Sequence, residues 1–209
     1  MPASMINHMR RNLYIFDFDD TLVTSNALIK IVGPGGKLVR EMTSEEYADR
    51  SNKKHITQEE RTAGYSEDFS DFEIYPPDGE PIRQNFSMLL EAISDPDSDV
   101  YIITARGNAA PVYQFLSDYG ASGIEVLAVG GADPSLKSNA VLNIINQSTD
   151  GYGLVEVYED SAPNLRAIEA AVRNDPNIEF VGNLVHLSKE SLLRRFIGNL
   201  ISEMFAVGS

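Results

Sequence analysis

The amino-acid sequence predicts an α/β protein built on a parallel β-sheet with helices on both faces, with a β-hairpin and a small insertion following the first strand. Three observations predict it. Short apolar runs of strand length alternate with stretches of helical period along most of the chain. That alternation breaks once, between about residues 25 and 80. Polar and acidic residues gather where the apolar runs end, which is where sheets of this kind bind their ligands.

The first strand lies in "LYIFDFDDTL", residues 13–22. An unpaired carboxylate is very costly in a low-dielectric interior, so Asp17, Asp19 and Asp20 are expected at the strand's end with partners. "ALIKIV", "GPGG" and "KLVREM" then form two alternating runs about a glycine-rich turn, a β-hairpin over 27–42. Thr43 and Glu46 stand at capping-box spacing and start a short helix. Residues 51–71 are polar and poor in aliphatics, and are expected as loop or loosely packed helix.

"PIRQNFSMLLEAI" sets Ile82, Phe86, Leu89, Leu90 and Ile93 at helical spacing, with Pro81 suited to the first turn and Asp95-Pro96 as the stop. "DVYIIT" is a second buried strand, followed by a helix with Val112, Phe115, Leu116 and Tyr119 on one face and Gly120 at its C-terminus. "IEVLAVG" is a third strand. Asp133 and Pro134 read as N-cap and first-turn residue of "PSLKSNAVLNIINQ". "LVEVY" makes a fourth strand, "NLRAIEAAVRN" a helix ended by Asp175-Pro176, and "IEFVGNLVHL" a fifth strand or a pair of short ones. An amphipathic helix with its stripe on Leu192, Leu193, Phe196, Ile197, Leu200 and Ile201 follows. The expected organisation is a flexible start over 1–10, a core over 11–24 and 81–209, and the insertion over 25–80.

Composition narrows the chemistry. The chain has 209 residues and no cysteine, which excludes disulfides and thiolate metal sites. Its three histidines, His8, His55 and His186, are too scattered to form a cluster, so a bound metal is expected to be a hard cation held by oxygen, magnesium or calcium. A net charge of -14 disfavours an extended nucleic-acid surface. The sequence has no long apolar run and its start lacks a secretory core, so a cytoplasmic location without membrane contact is expected.

The polar residues at the strand ends carry the functional signal. Asp17, Asp19 and Thr21 end the first strand; Thr104 and Arg106 end the second; Glu159 and Asp160 end the fourth; Lys137 opens the helix after the third. In this order, "DFDDT", Thr104 in "ITAR", Lys137 in "SLKSN" and "EDSAPN" resemble the four motifs of the haloacid dehalogenase superfamily of phosphohydrolases. The resemblance covers a Rossmann-like core, about residues 11–24 and 81–190, and leaves the insertion unassigned.

The resemblance implies a phosphatase that cleaves a phosphate monoester. Asp17 would be the nucleophile that forms an aspartyl-phosphate, and Asp19 the general acid and then base. Mg²⁺ would be held by Asp17, Asp160 and the backbone carbonyl of Asp19, with Glu159 either ligating directly or supporting the ligands from behind. Lys137 would supply a second positive charge, Thr104 a hydroxyl donor to a phosphoryl oxygen, and Thr21 and Arg106 substrate contacts. Asp20 would cap or orient the loop. An acid at position 19 disfavours dehalogenation, whose halide leaving group needs no proton. The hairpin would serve as a flap, and the short polar stretch after it as a small cap over an open site.

A small phosphorylated substrate, a nucleotide or sugar phosphate, is the expected partner, with a nucleic-acid end phosphate also compatible with an open site; the oligomeric state is left open. Arg50, Lys53, Lys54, His55 and Arg61 form the most basic stretch, read either as a solvated loop or as a handle for an anion. The alternative function is a catalytically silent protein of the same fold that binds a divalent ion or a partner.

Overall fold

β1 (Arg11–Phe16) forms on the apolar run and stops one residue short of Asp17. The computed structural model describes residues 10–48, 51–76 and 78–186; the expected flexible start over 1–9, Arg50, and the helix bearing Leu192 to Ile201 lie outside the described residues. After β1 the chain turns through Asp20, whose φ of 58° is the one positive value at a non-glycine residue among those described, into β2 (Val23–Thr24).

The insertion folds on its own small core. β3 (Ile29–Gly33) and β4 (Lys37–Met42) pair antiparallel about a turn in which Gly35 and Gly36 both take φ +81°, a conformation that penalises any Cβ. Next come α1 (Ser44–Ala48), opened by the Thr43–Glu46 capping box as its spacing predicts, then α2 (Gln58–Thr62) and β5 (Ser66–Asp68). β5 adds to β3, giving a three-stranded sheet in the order β4-β3-β5. A 3₁₀ turn over Ser70–Phe72 leads to β6 (Glu80–Pro81), which pairs back to β2.

Residues 51–71 are therefore more ordered than their composition suggests. Thr57 and Glu60 form a second capping box, and Arg40 grips Glu60 through two bonds of 2.8 Å while donating to the carbonyls of Lys54 and His55. β5 reads Ser-Glu-Asp and has no apolar alternation; edge pairing with β3 makes it a strand, not burial of its own side chains.

The remaining elements alternate. They are α3 (Arg83–Ser94), β7 (Ser98–Thr104), α4 (Ala110–Asp118), β8 (Glu125–Ala128), α5 (Pro134–Gln147), β9 (Tyr152–Glu159), α6 (Ala162–Val172) and β10 (Glu179–Leu184). β1 and the last four strands form one parallel sheet in the order β10-β9-β1-β7-β8. This is a Rossmann-like α/β fold. One face packs Phe16, Phe18 and Ile102 against Phe86 and Leu89 of α3 and Val112 and Phe115 of α4. The other packs Leu13, Ile15, Val155 and Val157 against Val141 and Ile144 of α5 and Ile168 and Val172 of α6. The expected stripe of α3 is rotated slightly: Ala92 is buried and Leu90, one residue past fully buried Leu89, is 38% exposed. Asp133 caps α5 through Ser135 N–H at 2.9 Å, and Gly120 takes φ +80° where α4 ends. Among the described residues no helix is long and apolar enough to cross a membrane.

Phe115 is fully buried and meets the rings of Phe18, Tyr75, Phe86 and Tyr119. Phe115→Ala is expected to lower unfolding stability by about 3–5 kcal/mol, measured by urea denaturation.

Candidate active site

Strand parity brings the charged residues together. Leu13 and Ile15 face α5 and α6, and Asp17 is the next residue of the same parity, still in register because its N–H donates to the Tyr158 carbonyl at 2.9 Å. On β9, Val155 and Val157 face the same way, and Glu159 follows them. On α5 the core-facing residues Val141 and Ile144 continue back one turn to Lys137. All three run out of apolar cover at the carboxyl ends of the strands, beside β1, where the chain switches from building β7 and β8 to building β9 and β10.

Lys137 Nζ lies 2.7 Å from Asp17 Oδ1 and 2.7 Å from Glu159 Oε2, and the three side chains are at most 8% exposed. The other Glu159 oxygen accepts from Ser161 N–H at 3.2 Å and from Asn164 Nδ2 at 3.0 Å, so α6 holds Glu159 and Glu159 holds Lys137. Asp160 follows directly. One carboxylate oxygen from each of Asp17, Glu159 and Asp160 can be found within 4.8 Å of the others.

The cluster has three carboxylates and one ammonium. Burial pushes the Asp17 carboxyl up to about 7; Lys137 opposes this and Glu159 adds to it. Burial, and then the charge of Asp17, likewise push Asp160 well above the ordinary range. For Lys137 burial disfavours the charged form, but Asp17 and Glu159 outweigh it and the ammonium is held above its usual range. Its place in the first turn of α5, the positive end of the helix dipole, makes those two partners more necessary. A hard divalent cation fits this donor set: the ligands are all oxygen, and two positive charges match the surplus of carboxylates.

Asp19 lies outside this cluster. Arg106 grips both its oxygens, Nε to Oδ2 at 2.8 Å and Nη2 to Oδ1 at 2.7 Å. Arg106 was expected to contact substrate; its side chain is 0% exposed, with its donors turned to Asp19 and to the carbonyls of Phe72 and Ile74. Thr104 is buried at the end of β7, and its Oγ1 accepts from Arg106 N–H at 3.2 Å. Thr21 is fully buried; its carbonyl accepts from Asn85 Nδ2 at 2.8 Å, while its hydroxyl oxygen has no protein partner among the described residues. Asp20 is buried in the turn, its N–H donating to the Val23 carbonyl.

Three contributors were missed from sequence. Asn85 is a polar residue on the buried stripe of α3, a visible signal; Asn164 closes the "EDSAPN" motif; Phe72 carried none. In the basic stretch Lys54 pairs with Glu46 at 2.6 Å and Arg61 with Glu67 at 3.0 Å, which leaves less free positive charge than the composition suggests.

No family model and no curated protein matches this chain. A crystal structure of the Legionella pneumophila effector Ceg4, with an N-terminal TEV protease cleavage sequence, is similar at 18% identity and a TM-score of 0.46, over 95% of this chain and 99% of that one.

The charge surplus has a measurable consequence. A carboxyl raised from 3.8 to about 7 on folding favours the folded state at acid pH and loses that contribution as pH rises through about 7. With a chelator present, the unfolding midpoint is expected to fall between about pH 4 and pH 7, less steeply in Asp17→Asn. Millimolar Mg²⁺ at pH 8 should recover part of the loss in the unsubstituted protein, as read by thermal melts.

Proposed function

We propose that this protein is a Mg²⁺-dependent phosphohydrolase that cleaves a phosphate monoester through an aspartyl-phosphate on Asp17. The observation that carries the reading is the buried Asp17–Lys137–Glu159 group with Asp160 beside it, at the carboxyl ends of the strands. A phosphate monoester is an anion, and a carboxylate approaches it only where positive charge offsets both. Lys137 contributes one such charge. A bound Mg²⁺, held by Asp17, Asp160 and the backbone carbonyl of Asp19, would supply the rest and neutralise the phosphoryl oxygens.

Asp17 attacks phosphorus, the bond from phosphorus to the ester oxygen breaks, and Asp19 gives its proton to the leaving alkoxide. Water then attacks the aspartyl-phosphate, Asp19 takes the water's proton, and inorganic phosphate leaves with Asp17 restored. Glu159 would hold Lys137 through one oxygen while Ser161 and Asn164 hold the other. Thr104, buried at the end of β7, would offer its hydroxyl to a phosphoryl oxygen. The substrate class is a nucleotide, a sugar phosphate or a nucleic-acid end phosphate.

Phosphate release from p-nitrophenyl phosphate is the direct test. The wild-type protein should turn it over with Mg²⁺ and not with a chelator, and Asp17→Asn should lower kcat by on the order of 10³-fold or more while leaving the thermal melt cooperative. Release that is equally fast in Asp17→Asn would remove the nucleophile assignment; none from the wild type, across aryl, sugar and nucleotide phosphates, would favour the silent metal- or partner-binding alternative.

A further inference from the structure

Arg106 is held from two sides. Nε and Nη2 donate to Asp19, and Nη1 donates to the carbonyls of Phe72 at 2.8 Å and Ile74 at 3.1 Å. Four of the five N–H groups that a guanidinium carries are engaged. Its central carbon lies 5.2 Å from the Phe18 ring centroid and 5.5 Å from that of Phe72, within reach of cation–π attraction.

Those contacts join separate parts of the molecule. Phe72 packs on the core of the insertion with Ile29, Ile31, Met42 and Ile56. Three residues on, Tyr75 packs against Phe115 of α4. The 72–75 segment thus runs from one core to the other, and its carbonyls fix the guanidinium that fixes Asp19. A guanidinium fork sets the plane of the carboxylate it binds, so displacement of Arg106 displaces the Asp19 oxygens as well. Misplacing a reacting group by about 1 Å is enough to cost on the order of 10²-fold in rate.

We infer that Arg106 is a positioning residue through which the insertion controls Asp19: the 72–74 segment must be docked for Asp19 to deliver its proton to the leaving group. The inference rests on the phosphohydrolase reading above. Phe72 touches none of the reacting groups and acts only through Arg106.

A series of substituted phenyl phosphates, with leaving-group pKa values from about 7 to 10, separates this from a general loss of stability. Arg106→Lys and Phe72→Ala should each steepen the dependence of kcat on leaving group, with a loss on the order of 10²-fold for the poorest leaving group, a much smaller loss for p-nitrophenyl phosphate, and little change in KM. The double variant should fall no further than Arg106→Lys alone, since the Phe72 ring, 5.5 Å from the guanidinium carbon, acts through Arg106 while the residue 72 carbonyl is kept in Phe72→Ala. As a readout independent of turnover, amide hydrogen exchange over residues 72–75 should be faster in Asp19→Asn than in the wild type. A leaving-group dependence unchanged in Phe72→Ala, or exchange unchanged in Asp19→Asn, would overturn the coupling alone. If the wild-type protein releases phosphate from no member of the series, the phosphohydrolase reading fails instead.

Discussion

A buried ammonium is the constraint on which this site depends. Lys137 has almost no water around it and sits in the first turn of a helix, where the dipole works against a cation. It persists because two carboxylates meet it at 2.7 Å. Removing one partner of such a pair typically costs about 3–5 kcal/mol, because the other charge is left uncompensated. The strand order follows the same requirement: Asp17 and Glu159 can flank one lysine only if β9 lies directly beside β1, and α5 must cross over the sheet to bring Lys137 between them.

The two acids of the opening motif have different surroundings although they are two residues apart. Asp17 is buried among other acids and shares one lysine; burial pushes its carboxyl up, and the lysine offsets this only in part. Asp19 has a guanidinium to itself, fixed in two directions by hydrogen bonds. Turn geometry separates them, because the chain leaves the strand register after Asp17 and bends through Asp20. One short segment thereby supplies two carboxylates with separate partners and independent orientations.

Much of this was legible in the sequence, for identifiable reasons. The core strands and helices carry their own burial patterns, so apolar period located β1, β7, β9 and α3, the Asp133-Pro134 cap located α5, and the excess of acids at the strand ends pointed to the acidic cluster. Interactions whose energy lies in a partner far along the chain were not legible. β5 has no pattern of its own and exists by pairing with β3. Arg106 looked like a substrate contact because a strand-end arginine gives no sign that Phe72 and Ile74, more than thirty residues earlier, will present carbonyls to it. Nor does a strand-end glutamate show that Lys137, 22 residues earlier, will donate to one oxygen of Glu159 while Ser161 and Asn164 donate to the other.

The left-handed backbone at Asp20 limits how this motif can diverge. A φ of 58° is inexpensive for glycine, tolerable for asparagine and aspartate, and punishing for β-branched or bulky residues. Glycine, asparagine and aspartate are therefore the residues that take this turn at least cost. Its neighbour Asp19 takes no positive φ and is held instead by the Arg106 fork.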